Sequence, residues 1–262
     1  MLKNEAVQVK RQGPIGILTI NREETLNALD TPTLVQLEAG LGELEGDPAI
    51  RVIVVTGAGK KAFIAGGDIA DLNSRHGLDH YQQFAEIIHR VFTRFEHSDK
   101  PTIGAINGWA LGGGTELLLA LDIRFVAQEA KLGLPEITLG LFPGAGGSQR
   151  LIRQVPLCVA KEMMFTGTHI TAAQAVDMGL CNRAVPQERL MEEAISVAAQ
   201  IAQKSPLTLK LLKRALRHGS EMPLGAALAH EQAMISVVLD SDDAHEGCSA
   251  FLEKRSPIFK GR

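Results

Sequence analysis

The stretch Asn107 to Asp122, NGWALGGGTELLLALD, decides how this sequence is read. An apolar, strand-like run, Pro101 to Ile106, leads into it. Three consecutive glycines, Gly112, Gly113 and Gly114, are followed by a helical run, Thr115 to Leu121. Glycine runs permit backbone conformations and close approaches that a Cβ would block. At the start of a helix the first N–H groups lack an internal partner, and the dipole favours negative charge. Backbone amides here suit an anion, or an oxygen becoming one. Glu116 falls in the first helical turn, where a carboxylate ordinarily just matches the dipole. A second element, LGLPEITLG from Leu132 to Gly140, sets Glu136 behind a proline among apolar residues. Two glutamates in apolar surroundings beside a glycine-rich anion hole suit acid and base roles.

A second glycine turn lies upstream, AFIAGGD from Ala62 to Asp68. Each turn alone is a tight bend. Together the two turns present two backbone N–H groups to one oxygen. Losing one such donor costs roughly 3–4 kcal/mol of transition-state stabilisation in other enzymes, so a pair is enough to define a site.

Strands and helices alternate around these turns. Ala6 to Val9 and Ile15 to Ile20 read as strands split by Gly13-Pro14. Asp30 or Thr31 caps a helix over Pro32 to Glu45, whose Leu34, Leu37, Leu41 and Leu44 repeat at three and four. Ile50 to Thr56 reads as a buried strand, Ile69 to Asn73 as one helical turn, and Leu78 to Glu96 as a long amphipathic helix. Thr102 to Ile106, Ile123 to Ala127 and Asn182 to Val185 read as further strands, with helices over Ser148 to Gln154 and after a Thr171 cap. Beyond Gln187 only helical patterns follow: Gln187 to Gln203, Pro206 to His218, Pro223 to Leu239 and Asp242 to Glu253. The reading is an α/β core with a helical C-terminal appendage.

Composition narrows the function. The chain has 262 residues, 45% of them hydrophobic and 22% charged, enough for one large core plus an appendage. A net charge of −3 leaves no basic excess for nucleic acid and no basic amphipathic stretch for a membrane surface. No apolar run approaches the roughly 20 residues of a membrane span, and the start, MLKNEAVQVKRQ, lacks a signal-peptide core. Cys158, Cys181 and Cys248 form neither a disulfide framework nor a zinc spacing. A reducing, cytoplasmic setting is expected.

The remaining motifs read as structural. Gly57-Ala58-Gly59-Lys60-Lys61-Ala62 resembles a loose dinucleotide fingerprint, but Gly66-Gly67 interrupts the helix that fingerprint needs. His76 and His80 stand four apart with no third ligand, so no metal is expected. No glycine-x-serine-x-glycine elbow surrounds Ser148. Cys158 and Cys181 sit in apolar patterns and read as buried packing thiols. The stripe from Tyr81 to Phe95 reads as core.

Several long motifs, in order, resemble the enoyl-CoA hydratase family of the crotonase superfamily. They are TLNALD (Thr25 to Asp30), KAFIAGGDI (Lys61 to Ile69), KPTIGAINGWALGGGTEL (Lys100 to Leu118), LGLPEITLGLFPGAGGSQRL (Leu132 to Leu151) and the ending EGCSAFLEKRSPIFKGR. The resemblance implies a spiral of ββα units over residues 1–200, and a helical C-terminal region over 201–262 that drives trimers, commonly stacked as hexamers. It implies an acyl-CoA thioester as substrate and no separate cofactor. It carries the oxyanion-hole role to the N–H groups of Gly67 and Gly113, and the catalytic roles to Glu116 and Glu136. Substrate contacts are carried to Leu26, Ala28, Ala65, Asp68, Ile69 and Ala70, with Phe251 and Lys254 reaching a neighbouring subunit's CoA. Trp109 stands where many members have tyrosine, Leu134 where many have glutamine, and Gly67 where alanine is frequent. The reaction implied is hydration of a trans-2-enoyl-CoA to a 3-hydroxyacyl-CoA. Enoyl-CoA isomerisation and a specialised hydratase or dehydratase are the alternatives. RNA binding, known for some relatives, is disfavoured because the Leu78 to Glu96 helix carries only Arg90 and Arg94 as fixed cations.

Overall fold

The computed structural model describes residues 5–262. Among them the strands are β1 (Val7–Gln12), β2 (Ile15–Ile20), β3 (Val52–Gly57), β4 (Ala62–Ile64), β5 (Thr102–Ile106), β6 (Trp109–Leu111), β7 (Ile123–Ala127), β8 (Lys131–Gly133), β9 (Ile170–Thr171) and β10 (Arg183–Val185). They build two sheets. The larger has the order β1-β2-β3-β5-β7-β10, parallel except for the β1–β2 hairpin. The smaller has the order β4-β6-β8-β9, parallel except for β8–β9. The pairs β3/β4, β5/β6 and β7/β8 each place their first strand in the large sheet and their second in the small one. The chain thus winds as repeated ββα units, the crotonase-like spiral.

The centre of the large sheet is built from apolar strands, β3 (VIVVTG) being a β-branched run. β3 and β5 are buried along their whole length, as expected of parallel strands covered on both faces. Helix α1 (Thr31–Gly46) starts at Asp30, whose carboxylate accepts from Thr33 N at 2.8 Å. It buries Leu34, Leu37, Leu41 and Leu44 completely, each contributing roughly 1.5–3 kcal/mol of transfer free energy. Helix α2 (Ile69–Asn73) is one turn. Helix α3 (Leu78–His80) runs through a π-helical segment, Tyr81–Ala85, into α4 (Glu86–His97), which buries Ile88, Val91, Phe92 and Phe95. The single helix expected over this span is therefore interrupted by a wider turn.

Helix α5 (Gly113–Leu119) is buried throughout. The half-buried Arg124 donates to Leu119 O at its C-terminus and to Leu121 O just beyond it. Helices α6 (Gly147–Leu151), α7 (Leu157–Thr166) and α8 (Ala172–Asp177) follow, the last opened by a Thr171–Gln174 capping box. Helix α9 (Leu190–Ala202) packs on β2, β3, β5 and β7. Helices α10 (Pro206–Gly219), α11 (Leu224–Leu239) and α12 (Asp242–Leu252) complete the chain. Among the described residues no helix is long and apolar enough to cross a membrane.

Two expectations need correction. Ala62 to Asp68 is not simply a turn, because its first three residues are strand β4. The small sheet as a whole was unforeseen, since strands of two or three residues are too short to show alternation. Cys158 is exposed, whereas Cys181 is buried; α7 buries Ala160 and Met163 and leaves Leu157 and Cys158 on its outer face.

The closest approach in the small sheet is at Gly114. A Cβ there would fall inside van der Waals contact with the Ile64 carbonyl, which is backbone and cannot yield. Gly114→Ala should therefore cost about 1–3 kcal/mol or more, several degrees of melting temperature. Gly46→Ala, at the open end of α1 where nothing lies within 4 Å, should be neutral or stabilising. Equal melting temperatures for the two variants would show that the β4–α5 contact is not tight.

Candidate active site

The parallel pairing of β4 with β6 brings two glycine turns side by side. After β4 the chain bends at Ala65-Gly66-Gly67 into α2, and after β6 it bends at Gly112 into α5. Gly66 (φ +122°) and Gly112 (φ +50°, ψ −119°) hold conformations that a side chain would strain. A Cβ on Gly113 would lie 3.7 Å from Gly67 N, so the two amides sit close together. Several neighbouring amides are engaged: Ala65 N with Leu26 O, Asp68 N with Leu29 O, Gly112 N with Gly133 O and Glu116 N with Gly112 O. Among the described residues the N–H groups of Gly67 and Gly113 donate to nothing.

The first turn is laced to the segment before α1. Leu29 N donates to Gly66 O at 2.8 Å. Leu26 and Asn27 adopt left-handed φ values of 55° and 59°. The strain at Asn27 is offset by three side-chain hydrogen bonds: Nδ2 to Ala58 O and Ala62 O, and Oδ1 from Arg22 N. Arg22 donates to Ala28 O and pairs with Asp30 and Asp68. TLNALD is thus the brace of the glycine turn, a role its sequence did not announce.

The two glutamates have different surroundings. Glu116, only 3% exposed, accepts at Oε1 from Ala145 N (2.7 Å) and Gly147 N (2.9 Å). Among the described residues both hydrogen bonds to its carboxylate fall on Oε1. Burial pushes its pKa up, opposed by those two amides and by the Arg150 guanidinium. Arg150 braces the amide-bearing loop, donating to Ala145 O at 3.2 Å while paired with Glu96 at 2.8 Å. Glu136, in the 3₁₀ turn Pro135–Leu139, has both carboxylate oxygens buried without a partner. Its own backbone N–H favours the ionised form, but less than burial disfavours it. Burial, with a smaller push from the Glu116 charge, raises the Glu136 pKa to about 7.

Gly67, Gly113, Glu116 and Glu136 line one cavity of about 380 Å³. The rest of its wall is mostly apolar and includes Ala65, Ile69, Leu72, Phe84, Ile88 and Phe142. The other expected contact residues lie elsewhere. Asp68 spends its carboxylate capping α2 and pairing with Arg22, and Ala70 is exposed on that helix. Leu26 borders a separate groove with Lys60, Lys61 and Trp109. Ala28 faces Arg22 through its carbonyl. Phe251, 83% exposed, and Lys254 lie at the end of α12, away from the cavity wall. Among the described residues no group of three or more His, Cys, Asp or Glu is placed to hold a metal ion.

Residues 10–262 match the family described as Enoyl-CoA hydratase/isomerase. The chain belongs to the enoyl-CoA hydratase/isomerase family. It is 42% identical to the 2,3-dehydroadipyl-CoA hydratase of Escherichia coli, covering 97% of this chain and 98% of that protein. It is 37% identical to the short-chain-enoyl-CoA hydratase of Clostridium acetobutylicum, over 98% of each chain. An enoyl-CoA hydratase structure from Bacillus anthracis superposes with a TM-score of 0.95 at 38% identity, covering 98% of this chain and 100% of that one. Asn27, Arg150 and the amides of Ala145 and Gly147, which brace the turn and the Glu116 carboxylate, were not singled out by motif. The string GAGGSQR held the signal for the last three, but only the fold shows which carboxylate they serve.

Because the folded-state pKa of Glu136 lies above its ordinary value of 4.5, the folded chain keeps a proton that the unfolded chain releases. The resulting stability is present at low pH and is lost as pH rises through about 7. Glu136→Gln cannot ionise, so its melting temperature should gain on the wild type between pH 5 and pH 8. A pH-independent difference would show that this carboxyl is solvated.

Proposed function

We propose that this chain is an enoyl-CoA hydratase, adding water across the C2–C3 double bond of a trans-2-enoyl-CoA to give a 3-hydroxyacyl-CoA. The observation that carries the proposal is the meeting of Glu116 and Glu136 on the cavity that holds the two unspent amides. The thioester oxygen accepts from Gly67 N–H and Gly113 N–H. Charge that builds on it as the β-carbon is attacked is then stabilised by dipoles already in place. Glu116, anchored through Oε1, takes a proton from the attacking water, whose oxygen bonds to C3. Glu136, neutral below about pH 7, delivers its proton to C2. These groups suffice for each step with no cofactor beyond the CoA of the substrate.

The second glutamate favours hydration over isomerisation. Moving a double bond shuttles a proton between two carbons and needs one base, whereas hydration needs one group to take a proton and another to give one. Among the described residues the cavity wall contains no Lys, Arg or His, which supports an uncharged acyl chain over one ending in a carboxylate.

Residues 201–262 are proposed as the oligomerisation region. Helix α11 buries none of its side chains, and Leu224, Leu228, Ile235, Val237 and Leu239 are exposed along it. A patch of this kind is a contact surface. A trimer or a hexamer would cover it and bring Phe251 and Lys254 to a neighbour's CoA. A cytoplasmic setting and the absence of nucleic-acid and membrane partners accord with the charge balance.

Glu116→Gln and Glu136→Gln should each lower crotonyl-CoA hydration by about 10²–10⁴-fold, followed as loss of the enoyl thioester absorbance. Near-wild-type turnover in either variant would remove that residue from the mechanism. The wild-type kcat/KM should fall as pH rises through about 7, where Glu136 loses its proton. A profile flat across that range would reassign the acid. Light scattering should give a mass of three or six chains, and a monomer would refute the role of residues 201–262.

A further inference from the structure

The loop that anchors Glu116 is itself held from behind. Ala145 N and Gly147 N donate to Glu116 Oε1 at 2.7 and 2.9 Å. The guanidinium of Arg150, on α6, donates through Nη1 to Ala145 O at 3.2 Å. It lies so close to Gly146 that a Cβ there would collide with Nη1. Its other nitrogens reach α4. Nε and Nη2 donate to Glu96 Oε2 at 3.1 and 2.8 Å, and Nη2 to Thr93 Oγ1 at 3.4 Å. The Arg150 side chain is only 12% exposed, so its charge is pressed against the back of the loop. Arg150 is not on the cavity wall. Any action it has on the reaction therefore passes through the loop and the Glu116 carboxylate.

This placement does two things. The bond to Ala145 O fixes the residue whose N–H holds Glu116. The positive charge favours the ionised carboxylate, against burial. Glu96 moderates the second effect, because a carboxylate 2.8 Å from the guanidinium offsets its field at more distant points. Around the pair stand His97, next to Glu96 on α4, and Arg217 and His218 on α10. On the cavity side the Glu116 charge acts on Glu136.

We propose that Arg150 is a positioning residue for the reaction, and that Glu96 sets how strongly its guanidinium acts on the Glu116 carboxylate. The inference rests on the hydratase reading above. Glu116 must be ionised to take a proton from water, so the ascending limb of the kcat/KM profile reports its ionisation. Removing Arg150 withdraws the favourable charge and moves that limb to higher pH. Removing the Glu96 charge leaves the guanidinium unopposed and moves the limb to lower pH.

The test is the pH dependence of crotonyl-CoA hydration by the full chain. Arg150→Gln should move the ascending limb up by about one pH unit and lower kcat roughly tenfold or more, with KM changed little. Arg150→Lys keeps the charge and should move the limb less. Glu96→Gln should move it down, with the plateau kcat largely kept. In the Arg150→Gln background Glu96→Gln should add almost nothing, because Glu96 acts through Arg150. Limbs that move the same way in the two single variants mark a loop loosened in both and overturn the assignment. So does an Arg150→Gln profile equal to the wild type's. Should Arg150→Gln fail to fold, a Glu96→Gln limb that stays in place or rises overturns it alone. A wild type that does not hydrate crotonyl-CoA overturns the hydratase reading first, and this inference with it.

Discussion

Gly114 lies against the Ile64 carbonyl with no room for a side chain, and this backbone contact governs the rest. It seats α5 on the end of β4, so the two glycine turns open at the same place. The β4–β6 pairing alone would align the turns, but α5 needs this approach to bring Glu116 under them. Thr115 Oγ1 extends the same arrangement across the sheet, taking a hydrogen bond from Gly133 N on β8. The site is built where the small sheet ends, and its donors are main-chain atoms that no substitution other than proline removes.

The two acids then diverge through their surroundings. Both are buried, which raises both pKa values. At Glu116 two amides and a nearby guanidinium oppose that rise. Glu136 has no hydrogen-bond partner. The two carboxyls therefore stand in unlike surroundings, one anchored by amides and one without a hydrogen bond among the described residues, the kind of asymmetry that acid and base roles draw on. Arg150 matters here without touching the cavity, because it fixes the loop whose amides set the balance.

The large sheet was legible in the sequence. Continuous β-branched runs and the leucine repeat of α1 are long enough for periodicity to speak, and β2, β5, β7 and α2 fall at the expected residues. The small sheet was not legible, because strands of two or three residues leave no period to read. Among candidate site residues, Gly67, Gly113, Glu116 and Glu136 were nominated from local chemistry and motif, and the fold puts them on one cavity. Asp68 looked like a contact residue, yet its position at the start of α2 commits its carboxylate to two amides and to Arg22.

What the sequence alone determined was the inventory: an α/β core, two glycine turns, two glutamates in apolar company and an apolar helical tail. Each rests on short-range physics, namely periodicity, capping and the freedom of glycine, which neighbouring residues settle. Which amides stay unspent, which glutamate is anchored and which is left without a partner were decided only by the tertiary structure. Those properties depend on atoms brought together from segments 20 or more residues apart, and no local pattern encodes whether a hydrogen bond across that distance is made or withheld.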